Sequence, residues 1–132
     1  MTRVVDTSVA VKWLVDEEGS PAARSLIGEP LVAPELLIAE LSNAMWKKWR
    51  RGQMTIQQVN LGQPFVSSFV EFVPSVPLAE DALKIALELE HPVYDCFYLA
   101  ASRALGLKLV TADSKLVEAC VGTPLAESVE AL

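Results

Sequence analysis

Asp6, Glu40, Asp95 and Asp113 are the residues of this chain best placed to do chemistry, because each is an acid set in apolar sequence. Asp6 closes Val4-Val5 and is followed by Thr7-Ser8. Glu40 lies within Pro34-Glu35-Leu36-Leu37-Ile38-Ala39-Glu40-Leu41. Asp95 follows Val93-Tyr94 and opens Cys96-Phe97-Tyr98-Leu99-Ala100-Ala101. Asp113 ends Lys108-Leu109-Val110-Thr111-Ala112. A carboxylate in such surroundings loses hydration that something must replace. Gathered together, carboxylates also repel, by about 1 kcal/mol per pair at ~4 Å in water and several-fold more when partly buried. A divalent cation is the natural compensator, and hard oxygen donors of this kind suit Mg²⁺ or Mn²⁺. The chemistry implied is metal-dependent attack on a phosphate ester.

The elements that must bring these acids together follow from the apolar pattern. Residues 3–6 read as a short buried strand ended by Thr7-Ser8, with Ser8 capping a helix from Val9 to about Asp16. Ser20 as N-cap and Pro21 at the first helical position start a second helix, ending near Gly28. Leu31-Val32-Ala33 is a second short strand. Pro34 begins a long helix to Arg51, stopped by Gly52. Thr55 opens a helical stretch weakened by Gly62 and Pro64. Glu71-Phe72-Val73 reads as a strand, and Leu78 to Glu90 as an amphipathic helix interrupted by His91-Pro92. Asp95 to Leu105 is a nearly all-apolar helix, hence central and buried, stopped by Gly106. Lys108 to Thr111 is a strand, Ser114 to Cys120 a short helix, and Val129 lies in a last strand. Strands alternating with helices imply an α/β fold with a parallel sheet, in one domain over residues 1–132. In such a sheet, sites form at the carboxyl ends of strands, where Asp6 and Asp113 fall; Asp95 falls at a helix N-terminus, which favours negative charge.

Other residues have weaker claims. Thr7, Ser8 and Thr111 place hydroxyls beside the carboxylates and can orient ligands or bound water, although capping and turn formation explain them equally well. Asn43, one turn after Glu40, faces the same way. Arg24 and the basic run Lys47, Lys48, Arg50 and Arg51 suit phosphate contact, the run also complementing a helix C-terminus. Trp46 and Trp49, three apart, read as core or subunit-interface residues, and His91, in a loop beside Pro92, as structural. Cys96 and Cys120 read as small buried hydrophobes. The net charge of −6 counts against a nucleic-acid partner, but bound cations would offset four of the 17 acids, and the basic run is local. No apolar run approaches the roughly 20 residues that span a bilayer, and no export signal is evident, which favours the cytoplasm. Nucleotide-binding glycine loops and a nucleophile elbow are absent.

The four acidic segments, in this order and at these intervals, resemble a PIN-domain ribonuclease of the VapC toxin type, and the resemblance spans nearly the whole chain. It implies a three-layer α/β/α sandwich around a short central parallel sheet. It implies Mg²⁺- or Mn²⁺-dependent endonucleolytic cleavage of RNA leaving a 3′-hydroxyl and a 5′-phosphate, a homodimer, and a cognate VapB-type antitoxin. Asp6 and Asp95 match the positions most directly tied to metal. Glu40 and Asp113 match the other two acids, whose contact can run through water. Arg24, Lys47, Lys48 and Arg51 would position the RNA.

Two enzyme classes compete poorly. An aspartyl-phosphate phosphatase wants a second acid two residues after the first, where this chain has Ser8; a receiver domain wants an acidic pair after the first strand. The serious alternative is a catalytically silent PIN-like domain that only binds RNA or a partner.

Overall fold

The computed structural model describes residues 1–132 and builds the sheet from five short parallel strands. They are β1 (Arg3–Val5), β2 (Leu31–Pro34), β3 (Val70–Val73), β4 (Lys108–Thr111) and β5 (Val129–Ala131), in the order β3-β2-β1-β4-β5. The chain steps outward from β1 to β2 to β3, then returns past β1 to β4 and steps outward the other way to β5. Right-handed crossovers therefore put the helices before and after this reversal on opposite faces. On one face pack α1 (Thr7–Leu14), α2 (Ser20–Arg24), α3 (Leu36–Arg50) and α4 (Ile56–Ser67). On the other, α5 (Ala79–Leu89) packs against α6 (Val93–Leu105), which lies across β1, β2 and β4. The short α7 (Ser114–Cys120) runs between β4 and β5. This is the three-layer α/β/α arrangement expected from the sequence.

The strands read as continuous apolar runs because helices cover both their faces. Val4, Val5, Ala33, Leu109 and Val110 are buried in one core with Leu37, Leu41 and Val66 from one helical layer. Ile85, Leu99 and Leu116 join it from other helices. Helix α6 is as central as its composition implies, burying Cys96 and the run Tyr98 to Ser102. No helix is long and apolar enough to cross a membrane.

Local differences from the sequence reading have identifiable causes. Helix α1 starts two residues before Val9, because the side chain of Asp6, not Ser8, caps it by accepting from Val9 N at 3.3 Å. Helix α2 is a single turn that starts after Gly19 in a left-handed conformation and ends at Arg24, well short of Gly28. Helix α3 starts at Leu36, since Pro34 still belongs to β2. Helix α4 runs straight through Gly62 and Pro64. A capping box between Thr55 and Gln58 secures its start, and the one carbonyl that Pro64 orphans belongs to exposed Asn60, where water can satisfy it. Gly62 is there for space: a Cβ would collide with Met45 Sδ and sit 3.1 Å from Leu14 Cδ1. The tryptophans of α3 are not core residues; Trp46 and Trp49 are 49% and 45% exposed, and the Arg50 guanidinium lies 5.3 Å over the Trp46 ring.

Gly62→Ala tests the close approach of α4 to α1 and α3. Alanine would raise helix propensity by up to about 1 kcal/mol, whereas overpacking a filled core costs about 1–3 kcal/mol. The clash should win, so chemical denaturation should show a less stable protein. A stabilised variant would mean that α4 stands off from Met45.

Candidate metal centre

The acids converge because three helices start at the carboxyl end of the sheet. Asp6 follows β1 and caps α1; Asp113 follows β4 and caps α7, accepting from Lys115 N at 3.0 Å; Asp95 is in the first turn of α6. Each therefore sits where helix amides favour a negative charge. Glu40 is the fifth residue of α3. The order reversal of the sheet falls between β1 and β4, the switch point at which open α/β sheets form their sites.

Register explains the tightest part of the site. Val5 is level with Val110, so Asp6 comes level with Thr111 on the neighbouring strand. Thr111 Oγ1 donates to Asp6 Oδ2, and Ser8 Oγ donates to Asp6 Oδ1 at 2.5 Å. Ser8 Oγ in turn accepts from Ala112 N at 2.9 Å, and Thr111 Oγ1 from Asp113 N at 3.1 Å. Two hydroxyls thus tie the turn after β1 to the turn after β4 while aiming the Asp6 carboxylate. Asp6 is only 3% exposed, and burial raises its pKa from 3.8 to about 6 against the lowering effect of these hydrogen bonds; the charge of Asp95 adds to the rise.

Glu40 is held from the opposite side. The Tyr98 hydroxyl donates to Glu40 Oε1, and Thr7 Oγ1 donates to the same oxygen at 3.2 Å. Tyr98 lies 3.0 Å from Thr7 Oγ1, and burial together with the Glu40 charge pushes the phenol's pKa up, so it stays a donor. Partial burial, and after it the nearby Asp95 charge, raise the Glu40 pKa. The charge of Asp95 is thus felt by both Asp6 and Glu40. Its own carboxylate meets His91, with Nε2 2.7 Å from Oδ2. Single donor atoms of His91, Asp95 and Asp113 lie within 4.8 Å of one another.

The acids carry no cationic partner from lysine or arginine. Every ion pair involving those residues lies elsewhere, as in Arg3 with Glu29 and Glu130, Glu17 with Lys12 and Lys48, and Arg103 with Asp81. Gathered carboxylates without such a partner are the donor set that a hard divalent cation would complete.

Two residues of this site were not singled out from the sequence as belonging to it. Tyr98 is one helical turn after Asp95, and His91 one turn before it, so the helical period from Asp95 was the available signal. His91 was read as a structural loop residue; the turn into α6 instead lays its ring on Asp95. The basic residues are not brought to the acids. Lys47 and Arg51 lie seven and eleven residues beyond Glu40, roughly 10 and 16 Å along a helix. Arg24 pairs with Asp16 at 2.6 Å and Lys48 with Glu17 at 3.3 Å. Asn43 is exposed and makes no hydrogen bond to the site. Cys96 and Cys120 are free and buried, as expected.

The raised pKa of Asp6 has a definite sign for stability. In the metal-free protein the native state holds this proton to higher pH than the unfolded chain does. The stabilisation is therefore fully present below pH 3.8 and is lost as the pH rises through about 6. The full loss is about 3 kcal/mol, and Glu40 contributes in the same direction. Denaturation of EDTA-treated protein should show stability falling between pH 4.5 and 7, with a visibly flatter profile for Asp6→Asn. Equal slopes in the two proteins would mean that Asp6 is not the buried titrating group.

Known proteins resemble this chain in sequence and in fold. The PIN domain family matches residues 3–121. Over 123 residues the chain is 31% identical to Ribonuclease VapC3 of Pyrobaculum aerophilum, covering 89% of this chain and 94% of that protein. Exonuclease VapC9 of the same organism is 32% identical over 89 residues, or 67% of this chain and 66% of that one. Among solved structures, PAE2754 from Pyrobaculum aerophilum superposes with a TM-score of 0.74 at 25% identity, covering 93% of this chain and 87% of the other. VapBC2 from Rickettsia felis, bound to a DNA fragment from its promoter, gives a TM-score of 0.70 at 16% identity over 99% of this chain and 98% of the other. With the family match covering most of its length and a VapC relative above 30% identity, this chain belongs to the PIN-domain family, among its VapC-type members.

Proposed function

We propose that the protein is a divalent-metal-dependent endoribonuclease, the toxin half of a toxin–antitoxin pair. The observation that carries this reading is a set of carboxylates free of lysine or arginine partners at the switch point of the sheet: Asp95 and Asp113 share a potential ligand group with His91, and the Asp95 charge acts on Asp6 and Glu40. Asp6, Asp95, Glu40 and Asp113 would hold Mg²⁺ or Mn²⁺, with Thr7, Ser8 and Thr111 fixing the orientation of the acids. A bound ion would lower the pKa of a coordinated water and offset charge on the scissile phosphate. The chain's own part is positional. Ser8 and Thr111 hold Asp6 in one rotamer, Tyr98 and Thr7 hold Glu40, and the helix N-termini under Asp6, Asp95 and Asp113 partly offset their mutual repulsion.

RNA is the substrate proposed on the strength of the VapC3 relative, whose name gives that activity. Lys47 and Arg51, exposed and outside any ion pair, would meet nucleotides away from the scissile phosphate, given their distance along α3 from Glu40. Arg24 and Lys48 would first have to leave Asp16 and Glu17. The VapB-type antitoxin partner rests on the VapC membership and on the likeness to the VapBC2 complex. A homodimer is part of the same proposal, and the exposed Trp46 and Trp49 are apolar surface available to either partner.

The test is cleavage of a panel of linear and covalently closed circular RNAs by antitoxin-free protein, with Mg²⁺, Mn²⁺ or EDTA. Cutting of a circle requires an endonuclease, which separates this reading from the exonuclease activity named for the VapC9 relative. Wild type should cut with metal and not with EDTA. Asp95→Asn should cut at least about 100-fold more slowly, the scale of losing a group that stabilises transition-state charge. Full activity in folded Asp95→Asn, or cutting of linear RNA alone, would contradict the proposal.

A further inference from the structure

His91 lies on the acids by construction. Helix α5 is followed by its C-cap Glu90, whose φ of 51° and ψ of 46° put a side-chain-bearing residue in the left-handed region. His91 N then closes onto Ala86 O at 3.2 Å, and Pro92 serves as the N-cap of α6. The chain thus turns sharply between two packed helices and delivers the imidazole four residues before Asp95. The ring is largely shielded, its side chain 12% exposed against 30% for Asp95.

Resting on the nuclease reading above, we propose that His91 is a nitrogen ligand of the metal centre beside Asp95 and Asp113, and that it biases the site toward Mn²⁺ over Mg²⁺. Two donors at right angles around an ion ~2.1 Å away stand about 3.0 Å apart. The 2.7 Å between His91 Nε2 and Asp95 Oδ2 is close to that bite. His91, Asp95 and Asp113 each offer one donor atom within 4.8 Å of the other two, a spread that one cation can draw together. Their contact in the metal-free protein is a hydrogen bond, and ion binding exchanges it for two bonds to the same cation. The chemistry of the set decides the preference. Carboxylate oxygens alone favour Mg²⁺ and Mn²⁺ with little distinction, whereas an imidazole nitrogen adds a donor that transition metals accept and Mg²⁺ takes poorly. The ion pairs of lysine and arginine lie elsewhere in the molecule, so His91, Asp95 and Asp113 have no such cation among them.

His91 is the sole histidine of the chain, so an imidazole signal from bound metal has one possible source. The experiment is pulsed electron paramagnetic resonance of Mn²⁺ bound to untagged protein, comparing natural-abundance with ¹⁵N-histidine-labelled wild type and with His91→Gln. Wild type should show nitrogen modulation that changes with the label and vanishes in His91→Gln. By calorimetry, His91→Gln should lose about tenfold in Mn²⁺ affinity, on the scale of a perturbed ligand shell, with Mg²⁺ affinity changed less than threefold. The labelled wild type keeps the test independent of any folding defect in the variant. Mn²⁺ bound without label-sensitive modulation would overturn the role of His91 and leave the carboxylate centre standing. Failure of wild type to bind Mn²⁺ at all would overturn the nuclease reading and this inference together.

Discussion

Burial of the Asp6 carboxylate at the seam between β1 and β4 is the constraint around which the rest of the structure is arranged. A buried carboxylate without partners would cost several kcal/mol, and this chain surrounds it with partners from both strands. Register sets Thr111 beside it, the turn supplies Ser8, and α1 begins on it. The same hydroxyls accept backbone amides from Ala112 and Asp113. Removing the acid would therefore loosen the junction of two turns as well as delete a proposed metal ligand. Structural and chemical roles are not alternatives here: Asp6 and Asp113 are helix caps, and their capping geometry is what aims them at one another's neighbourhood.

A second consequence concerns stability. The fold spends stability to gather like charges, and it recovers part of that through three helix N-termini, each worth a few tenths to ~1 kcal/mol. The remainder is left for a cation. The Tyr98–Glu40 and His91–Asp95 pairs restrain the two acids that the strands do not hold directly. In the proposed site these bonds would hold the acids in place before an ion binds, the condition under which charges act strongly on a substrate.

The sheet and the order of elements were legible because they depend on strong local signals. Strand β4 and helix α7 match their expected bounds residue for residue, since Gly106, Thr111 and Asp113 punctuate them. Helix α6 reads as buried because it has almost no polar face. What was not legible depended on tertiary fit. That position 62 must be glycine is not visible locally, because the reason is Met45 packed beneath it. The exposure of Trp46 and Trp49 follows from which face of α3 meets α1 and α4. The basic run occupies the last turn of α3, as its sequence position implies, roughly 10 Å and more along the helix from Glu40. The contact of His91 with Asp95 depends on the turn between α5 and α6, which a loop histidine beside Pro92 does not announce.

The central claim is that these carboxylates are gathered at a net energetic cost that a divalent cation relieves. Thermal unfolding at pH 7.5 of wild type and Asp95→Asn, in EDTA and across a Mn²⁺ titration, tests it most directly. The account predicts that Asp95→Asn is the more stable protein in EDTA, that Mn²⁺ raises the wild-type melting temperature saturably, and that the variant responds weakly. A wild type indifferent to Mn²⁺, with Asp95→Asn less stable in EDTA, would contradict it.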